Sequence, residues 1–184
     1  MPDGKNDHSL VDKAGAAMSM VYPNRIGLDE HQVKVLALLA TGMTLSQAAT
    51  VLKHSVQTVT YTVRRLVARF EIKGDRAQLI HEAYCAGVIT PRAPLHAPPA
   101  DITPRRREVL RMVASGQSYS AIAQCLQISV DSVLSHVEAL RRDLGARSRV
   151  ELVSAAWSHR LLGPGDGPWQ PASSVWRPSA TTTR

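Results

Sequence analysis

Laid on itself with a shift of 74 residues, this sequence matches: SVQTVTYTVRRL (55–66) falls on SVDSVLSHVEAL (129–140). Ser55, Val56, Val59, Val63 and Leu66 meet Ser129, Val130, Val133, Val137 and Leu140. Upstream, Val35, Leu36, Ala40, Gly42, Ser46, Ala49 and Leu52 meet Val109, Leu110, Ala114, Gly116, Ser120, Ala123 and Leu126. Downstream the shift becomes 73, where Arg76, Leu79, Ala83 and Tyr84 meet Arg149, Leu152, Ala156 and Trp157, so one residue has been inserted near 71–75. A duplicated segment must fold the same way twice, so each copy constrains the reading of the other.

The constraint settles the most ambiguous stretch. Residues 55–66 are rich in Val, Thr and Tyr, which favours a strand by propensity. The apolar residues Val56, Val59, Val63 and Leu66 instead recur in steps of three and four, the period of a helix. The second copy carries Leu, Glu, Ala and Arg at the same spacing, and these are good helix formers. Burial of one face outweighs a few tenths of a kcal/mol per β-branched residue, so both stretches are expected to be helices.

The same reasoning gives four short helices per copy. In the second, Thr103 caps the first helix with Pro104 in its opening turn, and Gly116 ends it. Val109, Leu110, Val113 and Ala114 form its buried stripe. A second helix runs from about Tyr119 to Leu126 and buries Ile122, Ala123 and Leu126. Ser129 caps a third that buries Val130, Val133, Val137 and Leu140. A fourth starts near Arg149 and buries Leu152, Val153, Ala156 and Trp157. In the first copy Asp29 and Gln32 have the spacing of a capping box. The helices that follow are expected near 44–52, 55–70 and 76–86.

The fold class is thus all-α: two tandem four-helix bundles, at 26–89 and 102–162. Between them, residues 90–101 hold four prolines in twelve positions, which favours an extended, semi-rigid linker. Residues 1–25 are polar and weakly patterned, and a flexible segment is expected there. Residues 163–184 are rich in Pro, Gly, Ser and Thr and are expected to be disordered, with Trp169 and Trp176 as a candidate partner-binding motif.

Charge points to the partner. The chain carries a net charge of +7 with a pI near 9.9, which favours an anionic macromolecule. The excess sits on the bundles, at net +2 over 28–89 and +4 over 102–162. No apolar run is long enough for a transmembrane helix, and the N-terminus lacks a secretory pattern. Cys85 and Cys125 read as reduced packing residues, and a cytoplasmic location is expected. The segment HEAYC (81–85) imitates half of a zinc-protease motif without a third ligand, and reads as packing. No nucleophile–base pair, phosphate-cradling loop or metal constellation is evident, so neither enzymatic activity nor a cofactor is expected.

Within each copy, LSQAATVL-KHS-VQTVTYTVRRL and YSAIAQCL-QIS-VDSVLSHVEAL have the form of a helix-turn-helix. The second helix of such a pair can enter a major groove while its capped start holds phosphate. ITPRRREVLRMVASGQSYSAIAQCLQISVDSVLSHVEALRRDLGARSRVELV resembles a LuxR-type DNA-binding domain. It has the IT-P opening, the Gly116 stop, AIAxxLxIS, SVxxHV and DLGARSR in order. The first copy resembles the family more weakly. The resemblance implies bacterial transcription regulation, a third helix that reads DNA and a fourth that pairs, so a homodimer through the fourth helices is expected. Against the family pattern, Arg106 stands for an acid, and Leu134 and Thr60 for a basic residue. His136 is kept, but its counterpart is Thr62, and His54 stands where the second copy has Ile128.

At about 100° per residue, Gln57, Thr60, Tyr61 and Arg64 share a face opposite Val59, Val63 and Leu66. Gln pairs with adenine, Arg with guanine, and Thr meets a thymine methyl. The matching face of the second copy is Asp131, Leu134, Ser135 and Glu138. Candidate DNA-contacting residues are therefore Gln57, Thr58, Thr60, Tyr61, Arg64 and Arg65, with Ser132, Leu134, Ser135, His136, Glu138, Arg141 and Arg142 in the second copy. Arg69, Arg76, Arg147 and Arg149 are further phosphate candidates, with Arg76 and Arg149 equally suited to bridging helices. The expected partner is double-stranded DNA, bound by two readers in one chain. A linker of roughly 40 Å when extended would let these reach grooves about 34 Å apart, and leaves open whether the half-sites are inverted or direct. The competing reading is a protein-interaction module for RNA polymerase or another regulator, with the second copy used for pairing.

Overall fold

A computed structural model describes residues 27–94 and 102–166. Among them are eight helices: α1 (Glu30–Ala40), α2 (Leu45–Leu52), α3 (Val56–Arg69), α4 (Arg76–Cys85), α5 (Pro104–Ala114), α6 (Tyr119–Leu126), α7 (Val130–Asp143) and α8 (Arg149–Ser158). The expected flexible segment 1–25, most of the linker, and Trp169 and Trp176 lie outside the described residues.

The duplication extends to the backbone. Helix lengths of 11, 8, 14 and 10 residues occur twice in the same order. Left-handed φ values occur at Gly42, Lys53, Glu71 and Gly87, and again at the matching Gly116, Gln127, Gly145 and Arg160. Lys53 and Gln127 make the turns between α2 and α3 and between α6 and α7.

Local chemistry sets the helix starts. The Asp29 carboxylate accepts from the Gln32 amide at 2.8 Å, and the Gln32 side chain accepts from the Asp29 amide at 3.1 Å, which completes the expected capping box. Thr44 and Gln47 form a second box at α2. Ser55 and Ser129 cap α3 and α7 in the same way, each accepting from the amide three residues on at 3.1 Å. Residues 55–66 are the cap and first three turns of a helix, so period prevails over propensity.

The third helices bury Val59, Val63 and Leu66, and Val133, Val137 and Leu140, as their spacing predicts. Val56 and Val130 depart from the expected stripe and are 45% and 40% exposed. Each is the first residue of its helix. A helical side chain tilts toward the N-terminus, so these two project past the end of the core instead of into it. Leu126, expected in the core, is half-buried. Thr62 is buried with its hydroxyl donating to the Thr58 carbonyl at 3.0 Å, so it brings no unsatisfied polar group into the core.

The two copies do not hang apart on the linker. α4 packs along α8, α1 also meets α8, and α4 also meets α5. At the centre His81 is fully buried between Trp157, whose Nε1 donates to Nδ1 at 2.9 Å, and the Asp166 carbonyl, 2.8 Å from Nε2. Tyr84 stacks at a tilt on Trp157, with ring centroids 5.3 Å apart. Burial pushes the Tyr84 phenol up, and the adjacent Ser154 hydroxyl draws it partly back. HEAYC is therefore packing material, with Cys85 Sγ 3.6 Å from His81 Nε2. Among the described residues, no group of three or more His, Cys, Asp or Glu is placed to hold a metal ion.

The fourth helices, expected to pair between chains, pack on each other within this one, α4 along α8. The segment expected to be disordered from 163 begins as an ordered turn. There the Asp166 carboxylate accepts from the Gly163 amide at 2.8 Å and pairs with Arg111 Nε at 2.7 Å.

Candidate nucleic-acid interface

The third helices present their outer faces to solvent because the inner faces are fully used by the core. On α3, Gln57, Tyr61, Arg64 and Arg65 are all exposed, and Tyr61 reaches 63%. The Arg65 guanidinium lies over the Tyr61 ring at 5.9 Å, which holds a cation and an aromatic surface side by side. Thr58 is exposed, with its hydroxyl 2.8 Å from that of the capping Ser55. Thr60 is half-buried and its hydroxyl donates to the Val56 carbonyl at 2.7 Å. That hydroxyl is already bonded within the helix.

On α7 the expected residues divide. Leu134 is 40% exposed, and Ser135, Glu138 and Arg142 are exposed with it. Ser132 is half-buried, 2.8 Å from the capping Ser129 hydroxyl, and His136 is half-buried. Arg141 departs from the expectation of an available phosphate contact. Its Nη1 binds Glu138 at 2.7 Å and its Nη2 donates to the Arg147 carbonyl. These bonds hold the segment after α7, and they also neutralise part of Glu138's charge.

Arg149 serves as a bridge. Nη2 donates to the Val113 and Gln117 carbonyls at 3.0 and 2.6 Å, which satisfies the end of α5. Nε pairs with Asp75 of the first copy at 3.0 Å, and the guanidinium lies 5.2 Å from the Tyr119 ring centre. Arg106, where the family pattern has an acid, pairs with Asp143 at 3.0 Å and ties α5 to the end of α7.

Val56 and Val130 belong to the outward surface that sequence periodicity assigned to the core. Their position immediately after the capping serines was the available signal. The large apolar side chains exposed among the described residues are Val56, Tyr61, Val130 and Leu134, and all four lie on α3 or α7. Each third helix thus carries apolar contacts among polar groups, on a convex rod with a capped, amide-rich start. That is the form of a surface that enters a groove.

Residues 100–156 match the family model described as bacterial regulatory proteins, luxR family. This segment, which carries the α6–α7 helix pair, is similar to that family over its length. Curated relatives agree. A probable transcriptional regulatory protein NarL of Mycobacterium tuberculosis is 42% identical over 77 residues, covering 42% of this chain and 35% of that protein. The transcriptional activator protein BjaR1 of Bradyrhizobium diazoefficiens is 32% identical over 71 residues, 39% of this chain and 29% of that protein. The nitrate/nitrite response regulator protein NarL of Escherichia coli K12 is 36% identical over 59 residues, 32% of this chain and 26% of that protein. The chain spans about a third of the length of the relatives it matches. No solved structure matches. No helix among the described residues is long and apolar enough to cross a membrane.

Proposed function

We propose that this protein is a sequence-specific DNA-binding transcriptional regulator with two helix-turn-helix readers, one in 26–89 and one in 102–162. The observation that carries the reading is the confinement of exposed large apolar side chains to the outer faces of α3 and α7. In a monomeric globular protein such residues would be scattered. The names of two relatives, a probable transcriptional regulatory protein and a transcriptional activator protein, support the same reading for the second copy. For the first copy the support is its matching helices, caps and left-handed turns. On α3, Gln57, Tyr61 and Arg64 contact base edges or thymine methyls, and Arg65 holds phosphate. On α7, Leu134, Ser135 and Glu138 face the groove, and Arg142 takes the phosphate role. A cytoplasmic location accompanies this activity.

A second reading has its own observation. α7 exposes Leu134 beside Asp131 and Glu138, an acidic and apolar surface suited to a protein partner such as RNA polymerase or another regulator. Titrating a fluorescently labelled random duplex with the protein at low salt separates the two. Saturable binding that steepens on selected sequences supports the DNA reading. Absence of binding to any duplex would leave the protein-partner reading.

A further inference from the structure

The packing of the two copies is reciprocal, which distinguishes a two-fold arrangement from a head-to-tail one. In a two-fold pair, if residue i of one half touches j of the other, the equivalent of j touches the equivalent of i. The repeat register supplies the equivalences: Gly42 with Gly116, Gln78 with Glu151, His81 with Ser154, and Tyr84 with Trp157. A side chain added at Gly42 would strike Glu151, and one added at Gly116 would strike Gln78. Trp157 binds His81, and the equivalent residues Tyr84 and Trp157 lie against each other. α1 meets α8 as α5 meets α4, while α4 and α8 meet each other. The glycine approaches and the helix contacts thus exchange across the α4–α8 seam, while the Arg149–Asp75 pair does not. A translational repeat would bring unlike surfaces together and show no such exchange.

The two outward faces related by this axis are unlike. α3 offers Gln57, Thr60, Tyr61 and Arg64, whereas α7 offers Asp131, Leu134, Ser135 and Glu138. The seam is also well filled, with His81 at 0% exposure, Tyr84 at 6% and Trp157 at 8%. From these observations we infer that one chain is a complete two-reader unit whose DNA site is an imperfect inverted repeat with unlike arms. Operator symmetry mirrors protein symmetry, so a two-fold relation between readers requires half-sites of opposite polarity. Because the readers differ, the chain sits on such a site in one direction only. The inference rests on the DNA-binding reading above and settles what the linker leaves open.

The test is selection of duplexes from a random pool by the full chain, followed by native mass measurement of the complex. The expected motif has two arms in inverted orientation with different sequences, and the complex holds one chain per duplex. Inserting about five base pairs, half a helical turn, between the arms is expected to weaken binding on the order of a hundredfold, because the packed readers cannot follow. A direct repeat, a single arm, two chains on identical arms, one chain bridging two duplexes, or indifference to the insertion would each overturn the inference while leaving DNA binding intact. Failure to retain any duplex at low salt would overturn the DNA-binding reading and the inference with it.

Discussion

The indole nitrogen of Trp157 donates to Nδ1 of His81 at 2.9 Å, across the seam between the two copies. Nδ1 is therefore the acceptor, which leaves Nε2 to carry the ring proton and donate to the Asp166 carbonyl at 2.8 Å. One residue of the first copy and two from the end of the second thus meet at one buried imidazole. Trp157→Phe removes the donor and part of the ring, leaves Nδ1 unsatisfied, and is expected to cost about 2–4 kcal/mol. Urea unfolding followed by circular dichroism measures this, and a loss below about 0.5 kcal/mol would show that the seam contributes little to stability.

Arginines on the two third helices are expected to behave differently. Arg64 is exposed on the outer face of α3, and Arg64→Ala should weaken specific binding by about 1–3 kcal/mol and relax one base preference. Equal loss on all sequences would make Arg64 a phosphate contact. Arg141 is held by Glu138 and the Arg147 carbonyl, so Arg141→Ala should lower thermal stability and leave base preference unchanged.

The repeat itself suggests two stabilising changes. Glu71 has φ 52 where the second copy has Gly145, and Arg160 has φ 57 where the first has Gly87. A non-glycine residue in that region is strained by about 1–2 kcal/mol, partly offset by the entropy glycine loses on folding. Glu71→Gly and Arg160→Gly should each raise stability by about 0.5–1 kcal/mol. The reverse change at a crowded position, Gly42→Ala, combines φ +82 with displacement of Glu151, and should cost more than Gly145→Ala, whose added methyl meets nothing within 4 Å. Thermal unfolding of the four variants ranks them.

Cys85 provides a pH dependence. Burial, with Glu82 and Asp166 nearby, pushes its thiol from 9.0 up to about 11. The fold favours the protonated form, so this contribution is complete below pH 9.0 and is lost as pH rises toward about 11. Cys85→Ala should flatten part of the decline in melting temperature over that window. Near pH 8, iodoacetamide should label the exposed Cys125 well before Cys85, as peptide mass analysis would show.

Salt should act on DNA affinity with a slope of about −0.9 per phosphate neutralised. Arg65→Ala and Arg142→Ala should each reduce the slope by roughly one unit. Anisotropy titrations at several salt concentrations check this, and an unchanged slope would remove that arginine from the phosphate contacts.

Much of this was legible in the sequence, for definable reasons. Helix type and limits followed from apolar period, and caps such as Asp29–Gln32 and Ser129 from short-range hydrogen bonding, all of which are local. Val56 and Val130 were misplaced because period alone does not register that a side chain tilts beyond the end of its helix. Arg141 read as available because its partners, Glu138 and the Arg147 carbonyl, become neighbours only when the chain turns after α7. The packing of the copies was hidden for a broader reason. A Pro-rich linker suggests separation, while Trp157 looked like a core residue of its own bundle and Tyr84 only like its counterpart. Only the fold shows that each also contacts the other copy.

The His81–Trp157 seam has a consequence for how the molecule responds to dilution. Subunits that meet by collision drift apart as they become scarce, and their melting point falls with them. Here both sides of the contact are carried on one polypeptide, so closing it is a first-order event. A few copies in a cell would keep the same shape as a concentrated sample.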